Sequence, residues 1–166
     1  MGKLPAEDAF YMLMIRDRTN KGTLQLILPD STLKKPASDS SDGLPIAIDS
    51  IASKHKLQLK NASEPEFDLT IKLDCRLMEI DADLSVDKPE VIEKLQTEIN
   101  KKMESEINRI IKYSQEVNSD IFNFGEYYRA HVRNGEIDKG KWNELYPHIK
   151  VNVTVKTRII RDGVFQ

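Results

Sequence analysis

A single cysteine, Cys75, occurs in the 166 residues, which excludes an internal disulfide and any cysteine-rich zinc site. Aromatic residues make up only 7% of the chain, and no uninterrupted apolar run approaches the ~20 residues that a membrane helix needs. A large excess of charge of one sign is also missing. The 25 basic and 27 acidic residues leave a formal net charge of −2, so there is no bulk drive toward nucleic acid or anionic lipid. The start, Met1-Gly2-Lys3-Leu4-Pro5, has no apolar core of a secretory signal. Ala6 stands where a myristoylation signal needs Ser or Thr. Read alone, these absences describe a soluble intracellular protein without cofactor chemistry.

What is present suits one globular domain. The hydrophobic share is 39% and the charged share 31%, and the length fits a single α+β unit spanning 1–166. Phe10 to Ile15 is a short apolar run that reads as a buried strand, turning through Lys21-Gly22 into an alternating strand at Leu24, Leu26 and Leu28. Residues 30–45, rich in Ser, Asp, Pro and Gly, read as a flexible loop inside the domain. Ile46 to Lys60 reads as a long strand whose inward parity switches, so a bulge is expected near Asp49–Ser53. Phe67, Leu69, Ile71, Leu73, Cys75 and Leu77 alternate cleanly with polar residues, as in a half-buried strand.

The period then changes. Asp87 is placed to cap a helix with Pro89 in its first turn. Ile92, Leu95, Ile99, Met103, Ile107, Ile110 and Ser114, continuing to Val117, recur at spacings of three and four. Glu90–Lys94 and Glu98–Lys102 are expected to pair on the opposite face. A shorter helix is predicted from Ser119 or Asp120 through Val132, then a helical turn at Trp142–Tyr146. An alternating strand from Ile149 to Ile159 closes the chain, turned at Asp162-Gly163. The long helix can bury its stripe only against the strands. The predicted fold is therefore α+β, an antiparallel sheet packed around one long amphipathic helix, with a shorter second helix and a C-terminal strand.

Chemistry-bearing constellations are not found in the sequence. His55, His131 and His148 are scattered and read as surface residues, and Cys75 reads as an inert core thiol. Asp81, Asp83 and Ser85 start like a calcium loop, but Val86 and Ile92 stand where the turn glycine and bidentate glutamate belong. Asn61-Ala62-Ser63 and Asn152-Val153-Thr154 match glycosylation sequons without a secretory signal beside them. No phosphate loop or nucleophile elbow occurs, so no catalytic residue, metal ligand or cofactor is assigned.

The last third carries a more specific pattern. Asn118-Ser119-Asp120-Ile121-Phe122-Asn123-Phe124-Gly125 is followed by Trp142, Tyr146-Pro147, and Val151-Asn152-Val153-Thr154-Val155. This closely resembles the C-terminal domain of the Ger(x)C (GerAC-like) family, the lipoprotein C subunits of bacterial spore germinant receptors. Upstream, Lys21-Gly22-Thr23-Leu24 and Leu77-Met78-Glu79-Ile80 are compatible with the same family.

The resemblance implies a non-catalytic receptor subunit that works beside integral-membrane A and B subunits in nutrient-triggered germination. It implies attachment to the outer surface of the spore inner membrane by an N-terminal lipid. The family's signal peptide and lipid-accepting cysteine would then lie upstream of this chain, which would be a soluble C-terminal domain of a longer lipoprotein. The family-motif residues, Asp120, Ile121, Phe122, Phe124, Gly125 and Trp142, are candidates for partner contact. Physically, Asp120 is expected to cap the second helix, Gly125 to let two backbones approach, and Phe122, Phe124, Tyr127 and Tyr128 to pack that helix on the sheet. Two other readings remain: a domain binding a small nutrient germinant, and a hydrolase with a site assembled from distant residues such as Asp120 and His148.

Overall fold

The sheet is built on one long hairpin. In the computed structural model, which describes residues 6–16, 22–29, 43–80, 88–132 and 137–160, β2 (Leu44–Asn61) and β3 (Glu66–Ile80) pair antiparallel over most of their length. β1 (Gly22–Leu28) adds to β2 antiparallel, and β4 (Lys150–Ile159) adds to β3 in parallel. The order is β1-β2-β3-β4, and the α+β sheet is mixed rather than wholly antiparallel as expected, because its last strand runs parallel to its neighbour. A parallel neighbour requires a crossover, and the helices between β3 and β4 supply it.

The parity switch in β2 has the expected cause. The register steps from Ser50↔Cys75 to Ala52↔Asp74, so one additional residue sits on β2 at position 51. Ile46, Ile48 and Ser50 face inward before this bulge, and Ser53 faces inward after it. A second irregularity lies between Ala47 and Ile48.

α2 (Pro89–Glu116) lays Ile92, Leu95, Ile99, Met103, Ile107, Ile110, Ile111 and Ser114 into the core. Burying such a stripe is what holds an amphipathic helix in a folded protein. Val117 lies outside this stripe, 52% exposed, because the helix stops at Glu116. The residue at the helix N-cap is Lys88, which makes no side-chain capping bond, while Pro89 opens the first turn as expected. On the outer face Glu98 pairs with Lys101, and Glu106 pairs with Lys102 and Arg109, in place of the expected Glu98–Lys102 pair.

α2 also seals the edge of the sheet. Gln96 Oε1, Asn100 Oδ1 and Glu104 Oε1 accept from the backbone N–H groups of Ile159, Thr157 and Val155 at 2.9, 2.8 and 2.9 Å. Acceptors four residues apart on a helix rise about 6 Å, close to the two-residue step of a strand. The geometric match lets one helix flank satisfy successive outward N–H groups of an edge strand, which would otherwise invite pairing with another chain.

The run Phe10–Ile15 is a helix rather than a strand, and it forms no hairpin with β1. It belongs to α1 (Ala6–Arg16), with Tyr11, Met14 and Ile15 buried at helical spacing. A six-residue apolar run is ambiguous by periodicity; here buried Asp8, ion-paired with Arg109 of α2, ties the segment down as a helix. The predicted second helix starts later and is shorter: α3 is Phe124–His131, followed by α4 (Lys139–Leu145) and a 3₁₀ turn, Tyr146–His148. Most of the expected loop at 30–45, the Asp81–Asp87 segment, the Lys21 turn and the Asp162-Gly163 turn lie outside the described residues, while Leu44 already belongs to β2.

Candidate functional site

The Asn118–Gly125 block is a helix–helix connector, and its asparagines explain why the second helix begins late. α2 ends in a Schellman arrangement: Asn118 adopts a left-handed conformation (φ 49°), Ser119 N–H donates to Ser114 O at 2.8 Å, and Asn118 N–H donates to Gln115 O at 3.1 Å. Asn123, also left-handed (φ 60°), sits at the N-cap of α3. Asparagine tolerates this region better than other non-glycine residues.

Asp120 lies between the two. Its Oδ1 accepts from Phe124 N–H at 2.9 Å, and its Oδ2 accepts from Gly125 N–H at 2.7 Å and from the Trp142 indole N–H at 3.0 Å. The carboxylate thus caps the first turn of α3, as expected, and also clamps α3 to α4. A negative group at a helix N-terminus is further favoured by the helix dipole.

Gly125 has a different role from the one expected. A Cβ placed there would lie 2.6 Å from Trp142 Nε1, 2.7 Å from Cε2 and 2.9 Å from Cδ1. The close approach is therefore between the α3 backbone and the Trp142 indole ring, not between two backbones. Phe122, Phe124, Gly125, Tyr128 and Trp142 are buried, while Ile121 and Tyr127 are half-buried. Phe124 meets both Phe67 of β3 and Phe122 at ring-centroid distances of 5.3 and 5.7 Å. Trp142 lies between Tyr128 and Tyr146 at 5.4 and 6.0 Å.

Hydrogen bonds that no local pattern announces, including those of Gln115, complete the assembly. Ser114 and Tyr146 hydroxyls meet at 2.6 Å in the core. Gln115 Nε2 donates to the carbonyls of Tyr146 and Ile149, and Asn118 Nδ2 donates to Asn143 O. Tyr127 and Tyr128 hydroxyls donate to Leu57 O and Ala62 O, each at 2.7 Å, fastening α3 to the β2–β3 hairpin. Burial pushes the Tyr146 phenol up to about 12; the Ser114 hydrogen bond opposes this, and the Asp120 charge adds to it.

Beside this assembly α3 and the sheet form a cleft of about 370 Å³, with Phe122, Phe124, Tyr127, His55, Glu126 and His131 on its walls. His131 stacks on Tyr127 at 3.9 Å, and its Nδ1 is 2.8 Å from Tyr127 O. His131 and His148 are exposed, as expected, but His55 is half-buried, because the bulge turns it toward this cleft. Asp120 spends both oxygens on Phe124, Gly125 and Trp142, and His148 lies in the 3₁₀ turn.

Cys75 lies fully buried in β3, where desolvation, then the Asp74 charge, pushes its thiol up to about 12. The asparagines of both sequons are engaged: Asn61 Oδ1 accepts from Ser63 N–H, and Asn152 Nδ2 donates to Glu66 and Asp68. Among the described residues, no group of three or more His, Cys, Asp or Glu could hold a metal ion. Also among those residues, no helix is long and apolar enough to cross a membrane.

Among the described residues, a mixed four-stranded sheet with one long helix along its edge strand, and two short helices clamped by an aspartate, defines an α+β domain whose conspicuous polar residues serve as ties between elements. The family model described as "Spore germination B3/GerAC like, C-terminal" matches residues 1–163, and the chain belongs to that family, the C subunits of spore germinant receptors. It is 24% identical over 163 residues to the spore germination protein GerQC of Bacillus cereus, covering 98% of this chain and 42% of that protein. Its fold is similar to that in the crystal structure of the GerBC protein, with a TM-score of 0.72, 18% identity, and coverage of 95% of this chain and 46% of that one. The chain thus spans less than half the length of both relatives.

Proposed function

We propose that this chain is the C-terminal domain of a germinant-receptor C subunit and serves in assembly or signalling rather than catalysis. The observation that carries this reading is the family match across residues 1–163. The subunit would work beside the integral-membrane A and B subunits, tethered to the outer surface of the spore inner membrane by a lipid on a segment upstream. In this reading the clamp of Asp120, Gly125 and Trp142 holds α3 and α4 in a fixed pose. The connector then offers Ile121, half-buried, and Asn123, exposed, to a partner subunit. A rigid surface of this kind binds without a large ordering cost.

The test uses the full-length subunit in spores. Ile121→Asp at the connector is expected to reduce co-purification with the A and B subunits and to slow nutrient-triggered germination, with the subunit's own level unchanged. Wild-type germination in that strain, and in one lacking the whole domain, would refute the reading.

The cleft favours a second reading, direct binding of a small nutrient germinant. Its volume of about 370 Å³ and aromatic walls suit a small molecule with a few polar groups. Titration calorimetry with amino acids and sugars separates the two readings. Saturable heat that disappears in Phe122→Ala, with the fold retained, would favour the germinant site.

A further inference from the structure

The solvent face of the sheet carries an arrangement that does not serve the fold. Lys54 on β2 lies directly opposite Lys72 on β3, and Lys72 lies directly opposite Lys156 on β4. All three are exposed, and adjacent strands are about 4.8 Å apart. Like charges directly opposite across strands are destabilising, so three in a row oppose the pairing of these strands.

The neighbouring acids do not relieve this row. Asp74 gives both oxygens to Arg158, at 3.0 and 2.8 Å. Asp68 holds Lys60 at 3.3 Å and accepts from Asn152, and Glu66 holds Lys150 at 3.7 Å. Among the described residues, Lys54, Lys72 and Lys156 make no ion pair and no side-chain hydrogen bond. A chain whose formal net charge is −2 therefore keeps uncompensated positive charge at one spot. The spot is concave. Ala52, small and next to the row, leaves a hollow of about 400 Å³ lined by the three lysines, Asp74 and Arg158.

We propose that this hollow binds a small oligoanion, a molecule carrying two or more phosphate or carboxylate groups, between Lys54, Lys72 and Lys156. Three flexible lysine side chains rooted on adjacent strands about 5 Å apart can bring their ammonium groups to neighbouring anionic groups of one ligand. Binding would turn the repulsion within the row into attraction. A flat anionic bilayer fits less well, because Glu66, Asp68 and Asp74 share this face and would be pressed against it. A small ligand meets the lysines and leaves those acids in water. This inference is independent of the receptor reading.

The test uses the 166-residue chain with tripolyphosphate and citrate as probes, by titration calorimetry and thermal melting. Phosphatidylglycerol vesicles form a separate arm. Saturable binding of at least one free anion is expected, with a rise in melting temperature. Lys72→Thr should weaken it by about tenfold or more, the loss of one charged hydrogen bond. Lys101→Ala, which removes the same charge from α2, should leave it unchanged. Lys156→Gln, at the edge strand, gives a second reading of the site if Lys72→Thr melts below wild type. Absence of binding to both free anions, binding to vesicles alone, or equal losses in the row variants and Lys101→Ala would each overturn the proposal.

Discussion

Replacing Asp120 tests whether the family block is a structural clamp. The carboxylate accepts three hydrogen bonds, from Phe124 N–H, Gly125 N–H and the Trp142 indole. Asp120→Ala removes all three and leaves the indole N–H of a residue only 5% exposed without its acceptor. A hydrogen bond to a charged group contributes about 1.5–3 kcal/mol, and loss of an N-cap about 1 kcal/mol. Because Asp120 is half-buried, water re-satisfies part of the α3 terminus, and we expect a net loss of about 2–3 kcal/mol.

Asp120→Asn separates geometry from chemistry. Its single carbonyl oxygen can replace Oδ2, keeping Gly125 and Trp142, but its amide then faces the Phe124 N–H, donor against donor. The expected order of stability is wild type, then Asn, then Ala. Urea unfolding followed by fluorescence reads the clamp directly, because the chain contains one tryptophan, and far-UV circular dichroism checks that the two transitions coincide. An Ala variant within about 0.5 kcal/mol of wild type, the usual range of a neutral surface change, would refute the clamp.

Gly125→Ala should cost about 1–3 kcal/mol by overpacking, since its Cβ would fall 2.6 Å from Trp142 Nε1; a blue- or red-shifted tryptophan emission in the folded state would report the displaced indole. Asn100→Ala should cost about 1 kcal/mol by stranding the Thr157 N–H, and amide exchange should accelerate at Thr157 more than at Leu73 in the sheet interior. The Cys75 thiol, pushed up to about 12, should be silent to disulfide reagents at pH 8 in the native protein and react fully in urea. Cys75 and Tyr146 rise from 9.0 and 10.0 to about 12 on folding, so the native state holds their protons more tightly than the unfolded chain. Their contribution to stability is whole below about pH 9 and is lost as pH rises toward 12; Tyr146→Phe should flatten the upper part of that decline in urea melts taken at successive pH values.

Elements with a long, regular period were legible from the chain alone. The α2 stripe from Ile92 to Ser114 and the alternation of β3 each repeat often enough for one period to exclude the other. The bulge in β2 was legible because a parity switch has few other causes. Phe10–Ile15 is ambiguous from sequence because six apolar residues fit either a buried strand or a buried helix, and the partner that decides, Arg109 reaching Asp8, lies 101 positions away. The sequence marks Gly125 as a close-approach residue, but the approaching group, the Trp142 indole, sits on another helix.

Local periodicity, the cap chemistry of Asp120 and the inward parity of Cys75 belong to the sequence itself, because each depends on neighbours within a few turns of chain. The parallel placement of β4, the sealing of its edge by Gln96, Asn100 and Glu104, and the meeting of Lys54, Lys72 and Lys156 were decided only by the tertiary structure. Nothing in the local sequence singles those side chains out. Strand order and register, which no local pattern encodes, turn them into an edge seal in one case and a row of unpaired positive charge in the other.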